Sequence, residues 1–325
     1  MYTPREQFIK ALKREPIQGH VPHFELVFYL TMESIGRVHP EHRRYSQWSQ
    51  MSRKEQRLHM DDMAHCYIDI AEKYHHSAIF VHPNPGSGIN RDHFEPIIEI
   101  LQTIREKTGD KYFLMMHGDP TLSIPTGENM MEFSTEMYEE PQKLHEATKR
   151  EVGHAVRLSE ALSKRPGLLD GFALCSDYCF NTNPFFTRNL FGEFITPYLK
   201  AIIDHYRSLG FYTIKHTDGN IMPILDLMVD CGPDALHSLD PQGGVDLAEV
   251  KRLVGDRVCL IGNVNCGLMQ TGSEEELAAD VRRALRQGMP GYGYIFSTSN
   301  CAYTGLPLER YEQMHAIWQA EGIYY

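Results

Sequence analysis

Eight short apolar runs, each separated from the next by a longer amphipathic stretch, divide this chain of 325 residues. They cover 21–28, 77–82, 112–117, 168–175, 211–216, 235–239, 258–264 and 292–298. Near-continuous apolar runs of this length are the pattern of strands covered on both faces, as in a parallel sheet. The stretches between them carry helix-start chemistry. Thr3-Pro4 with Glu6 supplies a hydroxyl cap, a first-turn proline and a third-position glutamate. Asp246 with Glu249, and Ser273 with Glu276, repeat that logic. Gly109, Gly210 and Gly255 stand where left-handed helix ends belong, each shortly before an apolar run. Eight strands alternating with helices predict an α/β fold: a single (β/α)8 TIM barrel over 1–325 with an N-terminal helical addition over 1–20. A doubly wound open sheet is the competing topology, but no G-x-G-x-x-G follows the first run.

Charge narrows the partners. The chain has 32 basic and 43 acidic side chains, a net charge of −11. Nucleic acid is excluded, because phosphate binding needs a basic face that releases counterions. Anionic membrane surfaces are disfavoured for the same reason, and no run approaches the ~20 apolar residues of a membrane span. The opening MYTPREQFIKALKREP is charged throughout, unlike a signal peptide, so a cytoplasmic protein is expected. Seven cysteines without framework spacing then read as free thiols or metal ligands. Seventeen histidines raise the same question.

In a barrel the chemistry sits at the C-terminal ends of the strands. Those ends offer Glu25; His82; His117 with Asp119; Cys175, Asp177 and Cys179; and His216 with Asp218. The last three offer His237 and Asp240; Asn263, Asn265 and Cys266; and Ser299, Asn300 and Cys301. Four of the seven cysteines lie at these positions. In H-T-D-G-N, His216 and Asp218 are two residues apart and share a strand face, while Gly219 allows a sharp turn. An imidazole, a thiolate and a third ligand with one open position make a catalytic zinc site. Other residues have ordinary explanations. Cys259 and Cys175 read as small buried hydrophobes, and Cys66 and Cys231 lie on or after helices. His75, His76 and the histidines of 39–42 read as solvated, and His20 and His23 only flank the first run. Asp119 and Asp240 precede prolines, as turn formers do.

The stretches KHTDGNIMPILDLMVDCGPDALHSLDPQGGVDLAEVKRLVGDRVCLIGNVNCGLMQTGSEEEL, YIFSTSNCAYTGLP and DYCFNTNPFFTRNLFGEFITPYLKAIIDHYRSLG resemble the uroporphyrinogen decarboxylase superfamily. The likeness is close over 170–310 and looser before it, where TPREQFIKALKREPIQGHVPHFE is still similar. The resemblance implies a (β/α)8 barrel and one of two chemistries. True decarboxylases carry an R-Q-A-G-R segment after the first strand to grip substrate carboxylates. Here that place reads FELVFYLTMESIGR, leaving Arg37 alone. A uroporphyrinogen decarboxylase-type lyase of tetrapyrrole synthesis is therefore the alternative.

The other branch comprises zinc-dependent, corrinoid-linked methyltransferases. For this chain it implies a methyl group moving between a small methoxy-aromatic or N-methyl compound and a corrinoid protein. No cobalamin-binding D-x-H-x-x-G is present, so the corrinoid would come from a partner. Against the branch's H-x-C…C ligand pattern, His216 and Cys301 match, and Asp218 replaces the first cysteine. A competing set is Asp240, Cys266 and Cys301, which end the last three strands in order. A carboxylate in place of a thiolate leaves zinc more electrophilic, suited to polarising an ether oxygen or amine. Asp177 or His117 is the expected proton donor. Tyr178, Phe180, Phe185, Phe186 and Tyr303 are expected to wall the substrate, with Glu25, Asn181 and Asn263 as polar contacts. The decarboxylase branch further implies a homodimer.

Overall fold

In a computed structural model covering residues 2–43, 47–82 and 94–325, the apolar runs build a curled parallel sheet. Its strands follow in chain order: β1 (Ala78–Val81), β2 (Phe113–His117), β3 (Gly171–Leu174), β4 (Tyr212–Thr217), β5 (Ala235–Ser238), β6 (Cys259–Val264) and β7 (Tyr294–Thr298). Each pairs in parallel with the next. Helices return the chain between strands, among them Glu95–Thr108, Pro141–Ser163, Thr196–Ser208, Leu247–Val254 and Glu274–Gly288. The capping boxes at Thr3/Glu6 and Ser273/Glu276 form as expected. At Asp246 the carboxylate caps the Ala248 N–H without a returning glutamate. Gly109 and Gly210 take positive φ. Gly255 instead stays right-handed and lies against the Lys251 carbonyl, so it serves close packing there.

The run 21–28 is the eighth stave but not a regular strand. Parallel bridges join His23 to Phe296 and Phe28 to Ala302. The Phe296 N–H donates to the Pro22 carbonyl at 2.8 Å, and on the other edge the Ser77 N–H donates to the His23 carbonyl at 2.7 Å. The ring therefore closes, with a ladder thinned where Pro22 has no N–H to give. This is a TIM-barrel-like fold.

Side-chain alternation along the strands divides the core. Phe80, Met115, Ala173, Ile214, Ala235, Ile261 and Ile295 fill the ring. Ile79, Leu114, Phe172, Leu236, Leu260 and Phe296 meet the helices. The helix Pro4–Leu12 closes the lower end: the Phe8 ring lies 4.7 Å from Phe113 and 5.3 Å from Phe24. At about 1.5–3 kcal/mol for one fully buried phenylalanine, that contact holds the helix in place. Two residues further along the inward phase the lining turns polar, to His82, His117, Cys175, His216 and His237. Among the described residues, no helix is long and apolar enough to cross a membrane.

Several histidines depart from expectation. His39 and His76 are buried rather than solvated, as is His23. His23 and His76 both meet the Tyr311 hydroxyl at 3.2 Å, and the His23 ring lies 4.9 Å from Trp318. The packed aromatic layer between barrel and outer helices takes up these rings as flat hydrophobes with a polar tip.

Candidate metal centre at the barrel mouth

β4 delivers His216 to the upper rim, in register with His237 on β5. The two Nδ1 atoms lie 2.8 Å apart, so one ring donates to the other. This turns His216 Nε2 toward Asp218 Oδ1, at 3.8 Å, and Asp177 Oδ1, at 4.0 Å. The Asp218 carboxylate is itself oriented: the Ser238 hydroxyl donates to Oδ1 at 3.0 Å, and the Asn300 amide to Oδ2 at 2.5 Å. The Asp218 N–H donates to Asp177 Oδ1 at 3.2 Å, drawing the β3 loop onto the β4 loop. Gly219 makes that closure possible. Its φ is +76°, and a Cβ there would collide with the Phe180 carbonyl.

One donor atom each from Asp177, His216 and Asp218 lies within 4.8 Å of the other two. Burial pushes the Asp218 carboxyl up; His216 opposes this, while Asp177 and Asp240 add like-charge repulsion. Asp240 is also pushed up by burial, against the Gln242 and Gly219 N–H groups it accepts. Crowded, partly desolvated carboxylates beside an imidazole form an electrostatic cradle for a cation. The neighbouring cation points away. Lys215, on the opposite face of β4, meets Asp119 Oδ2 at 2.8 Å with both side chains enclosed. Burial alone would raise Asp119, but Lys215 holds its carboxyl at about 2.

The remaining expected residues distribute around this cluster. Asp240 accepts the Gln242 N–H at 2.9 Å and the Gly219 N–H at 3.3 Å, locking a turn. Cys266 and Cys301 are neighbours, with the Cys266 thiol 3.8 Å from the Cys301 carbonyl. Burial pushes the Cys266 thiol up to about 12, and raises Cys301 as well. Neither thiol joins the three converging donors at 4.8 Å. Glu25 is enclosed beside β7, accepting the Thr298 hydroxyl at 2.5 Å, and burial lifts its carboxyl to about 8. His117 is half-buried on the rim, and burial lowers its pKa. Asn263 is fully buried, its amide donating to the Leu239 carbonyl and accepting from Arg283. Tyr178 is fully buried under the Lys215 ammonium, 4.0 Å from its ring centroid, with its hydroxyl 2.7 Å from that of Thr121. Phe180 is 42% exposed and Asn181 is exposed on the same loop. Phe185 is half-buried and Phe186 buried behind them. Tyr303, half-buried, donates to Gln270 at 2.9 Å. Arg37 pairs with Asp62 and Asp69 on the helix Arg53–Lys73.

Lys215 and the orienting role of His237 escape a sequence reading, although both leave traces. A lysine inside the otherwise apolar FYTIKH announces a buried charge with a partner. The His216–His237 pairing depends on strand register, which the sequence does not display.

The uroporphyrinogen decarboxylase (URO-D) family model matches residues 89–320. A methylcobamide:CoM methyltransferase of Methanosarcina barkeri is 24% identical over 253 residues, covering 74% of this chain and 67% of the relative. A uroporphyrinogen decarboxylase of Thioalkalivibrio sulfidiphilus is 34% identical, over 86 residues, or 26% of this chain and 23% of its own. Among solved structures, a methyltransferase from Methanosarcina mazei superposes with a TM-score of 0.73 at 18% identity, covering 98% of this chain and 99% of the other.

Proposed function

The chain belongs to the uroporphyrinogen decarboxylase family, and within it we propose a zinc-dependent methyltransferase that moves a methyl group between a small methylated compound and a partner corrinoid protein. The observation that carries this reading is the convergence of Asp177, His216 and Asp218 at the catalytic end of the barrel. Their nitrogen and carboxylate donors suit zinc, and the upward-shifted Asp218 marks where positive charge is wanted. The longer match to a methylcobamide:CoM methyltransferase supports the same branch. The shorter decarboxylase match comes without a cationic grip, since Arg37 is engaged by Asp62 and Asp69.

Zinc held there would supply Lewis acidity toward the heteroatom that gives up its methyl group. The protein's own groups do the rest. His237 fixes the orientation of His216, and Ser238 and Asn300 fix that of Asp218. Burial keeps His117 uncharged at neutral pH, so it can accept a proton at the rim and return it. Phe180, Phe185 and Tyr303 offer an apolar wall, with Asn181 beside it.

Metal analysis and methyl transfer to a reduced corrinoid protein test the reading together. His216→Ala and Asp218→Asn should each lose bound zinc, and at least about 100-fold in transfer rate, since even outer-shell changes cost 10–100-fold. Cys301→Ala should keep its zinc. Zinc-free wild-type protein, transfer unaffected by Asp218→Asn, or decarboxylation of uroporphyrinogen would each defeat it.

A further inference from the structure

Around the mouth from His216, a second group of donors converges that the methyl-transfer reading does not use. His82 follows β1 in the inward phase, and His39 and Glu41 come from the loop after the short helix Thr31–Ile35. β1 and β4, which carries His216, stand three staves apart in a ring of eight when 21–28 is counted as the eighth stave. One donor atom from each residue lies within 4.8 Å of the other two. His82 Nε2 is 2.8 Å from Glu41 Oε2. The His39 and His82 rings meet edge-on, centroids 5.1 Å apart. The Glu41 backbone N–H donates to His39 Nδ1 at 3.2 Å, which positions the His39 ring in the same turn as Glu41; coordination by His39 through that nitrogen would take over its lone pair.

Outer hydroxyls brace the set. Tyr29 donates to Glu41, and the Tyr67 hydroxyl lies 3.4 Å from His82 Nδ1, behind the nitrogen that faces Glu41. Both imidazoles are buried, while the Glu41 side chain is 41% exposed, leaving a side open to solvent.

We propose that His39, Glu41 and His82 form a second divalent-metal site on the wall of the mouth, three staves from His216. Two imidazoles and one carboxylate with open positions select zinc or another first-row dication over magnesium or calcium, which prefer all-oxygen shells. The assignment stands independently of methyl transfer.

Chelator-stripped full-length protein titrated with Co2+, read by its visible absorption, and with Zn2+, read by metal analysis after desalting, tests this. The wild type should take up two equivalents. Glu41→Gln and His82→Ala should each take up one, Asp218→Asn the other one, and Glu41→Gln with Asp218→Asn none. Glu41→Gln changes an exposed carboxylate, so unaltered circular dichroism and melting will separate ligand loss from misfolding. If Glu41→Gln and His82→Ala bind as much metal as the wild type, the second site is overturned. If Asp218→Asn alone binds as much, the His216 reading fails, while a loss in Glu41→Gln still supports the second site.

Discussion

Residue 219 carries more of the site than its size suggests. Its positive φ costs a residue with a Cβ about 1–2 kcal/mol, and the Phe180 carbonyl leaves no room for that carbon. Gly219→Ala should therefore lower stability by at least that amount in urea unfolding. It should also weaken zinc uptake, because Asp218 is displaced from Asp177. A variant as stable as the wild type with full uptake would show that the turn can relax. Part of this was readable beforehand. The two-residue period puts His216 and Asp218 on one face, and a following glycine signals a sharp turn. That Asp177 converges on the same point was not readable, because the β3 loop is drawn onto the β4 loop by contacts such as that from the Asp218 N–H. Asn263 and Tyr178 look the same in sequence as residues facing a substrate. Their buried partners, Arg283 and Lys215, lie on other elements.

At the level of elements, the strands were legible wherever an apolar run met regular pairing. They were not at 21–28, where proline thins the ladder. β4 shows how one strand serves two purposes: its inward face presents His216, while its outward face sends Lys215 to Asp119, Ser176 and the Leu174 carbonyl. This buried pair ties β4 to the loops after β2 and β3, the first following His117 directly and the second carrying Asp177. Lys215→Met leaves the Asp119 carboxylate enclosed without its counter-charge, a change of about 3–5 kcal/mol for a broken buried pair. Replacing both, with Asp119→Leu and Lys215→Met, removes the uncompensated charge. The double variant should thus lie closer to the wild type than either single one in a denaturant cycle. Additive losses would mean that the pair contributes through packing alone.

Over the whole molecule, the described histidines separate into donors at the mouth, exposed or half-buried surface rings and buried rings, and the buried rings govern how stability varies with pH. Burial lowers His39 and His76 to about 3 and His315 to about 4, from 6.5. As pH falls below 6.5, the unfolded chain binds protons that the native rings refuse, so stability falls. Each ring contributes up to about 1.4 kcal/mol per pH unit until its native pKa is reached. Glu25 acts in the opposite sense. Raised from 4.5 to about 8, its native carboxyl keeps a proton that the unfolded chain releases, so its contribution falls as pH rises from 4.5 to 8. Between 4.5 and 6.5 the three histidines outweigh the one glutamate. Above 6.5 the glutamate acts alone among these groups. Urea midpoints measured against pH should therefore peak near 6.5, with a steep acid limb and a shallow decline toward 8. Glu25→Gln should flatten the decline and steepen the acid limb between 4.5 and 6.5, whereas His76→Phe should make the acid limb shallower and leave the decline in place. An alkaline limb unchanged by Glu25→Gln would mean that the buried carboxyl is already ionised at neutral pH, with a cation at the mouth as its natural counter-charge.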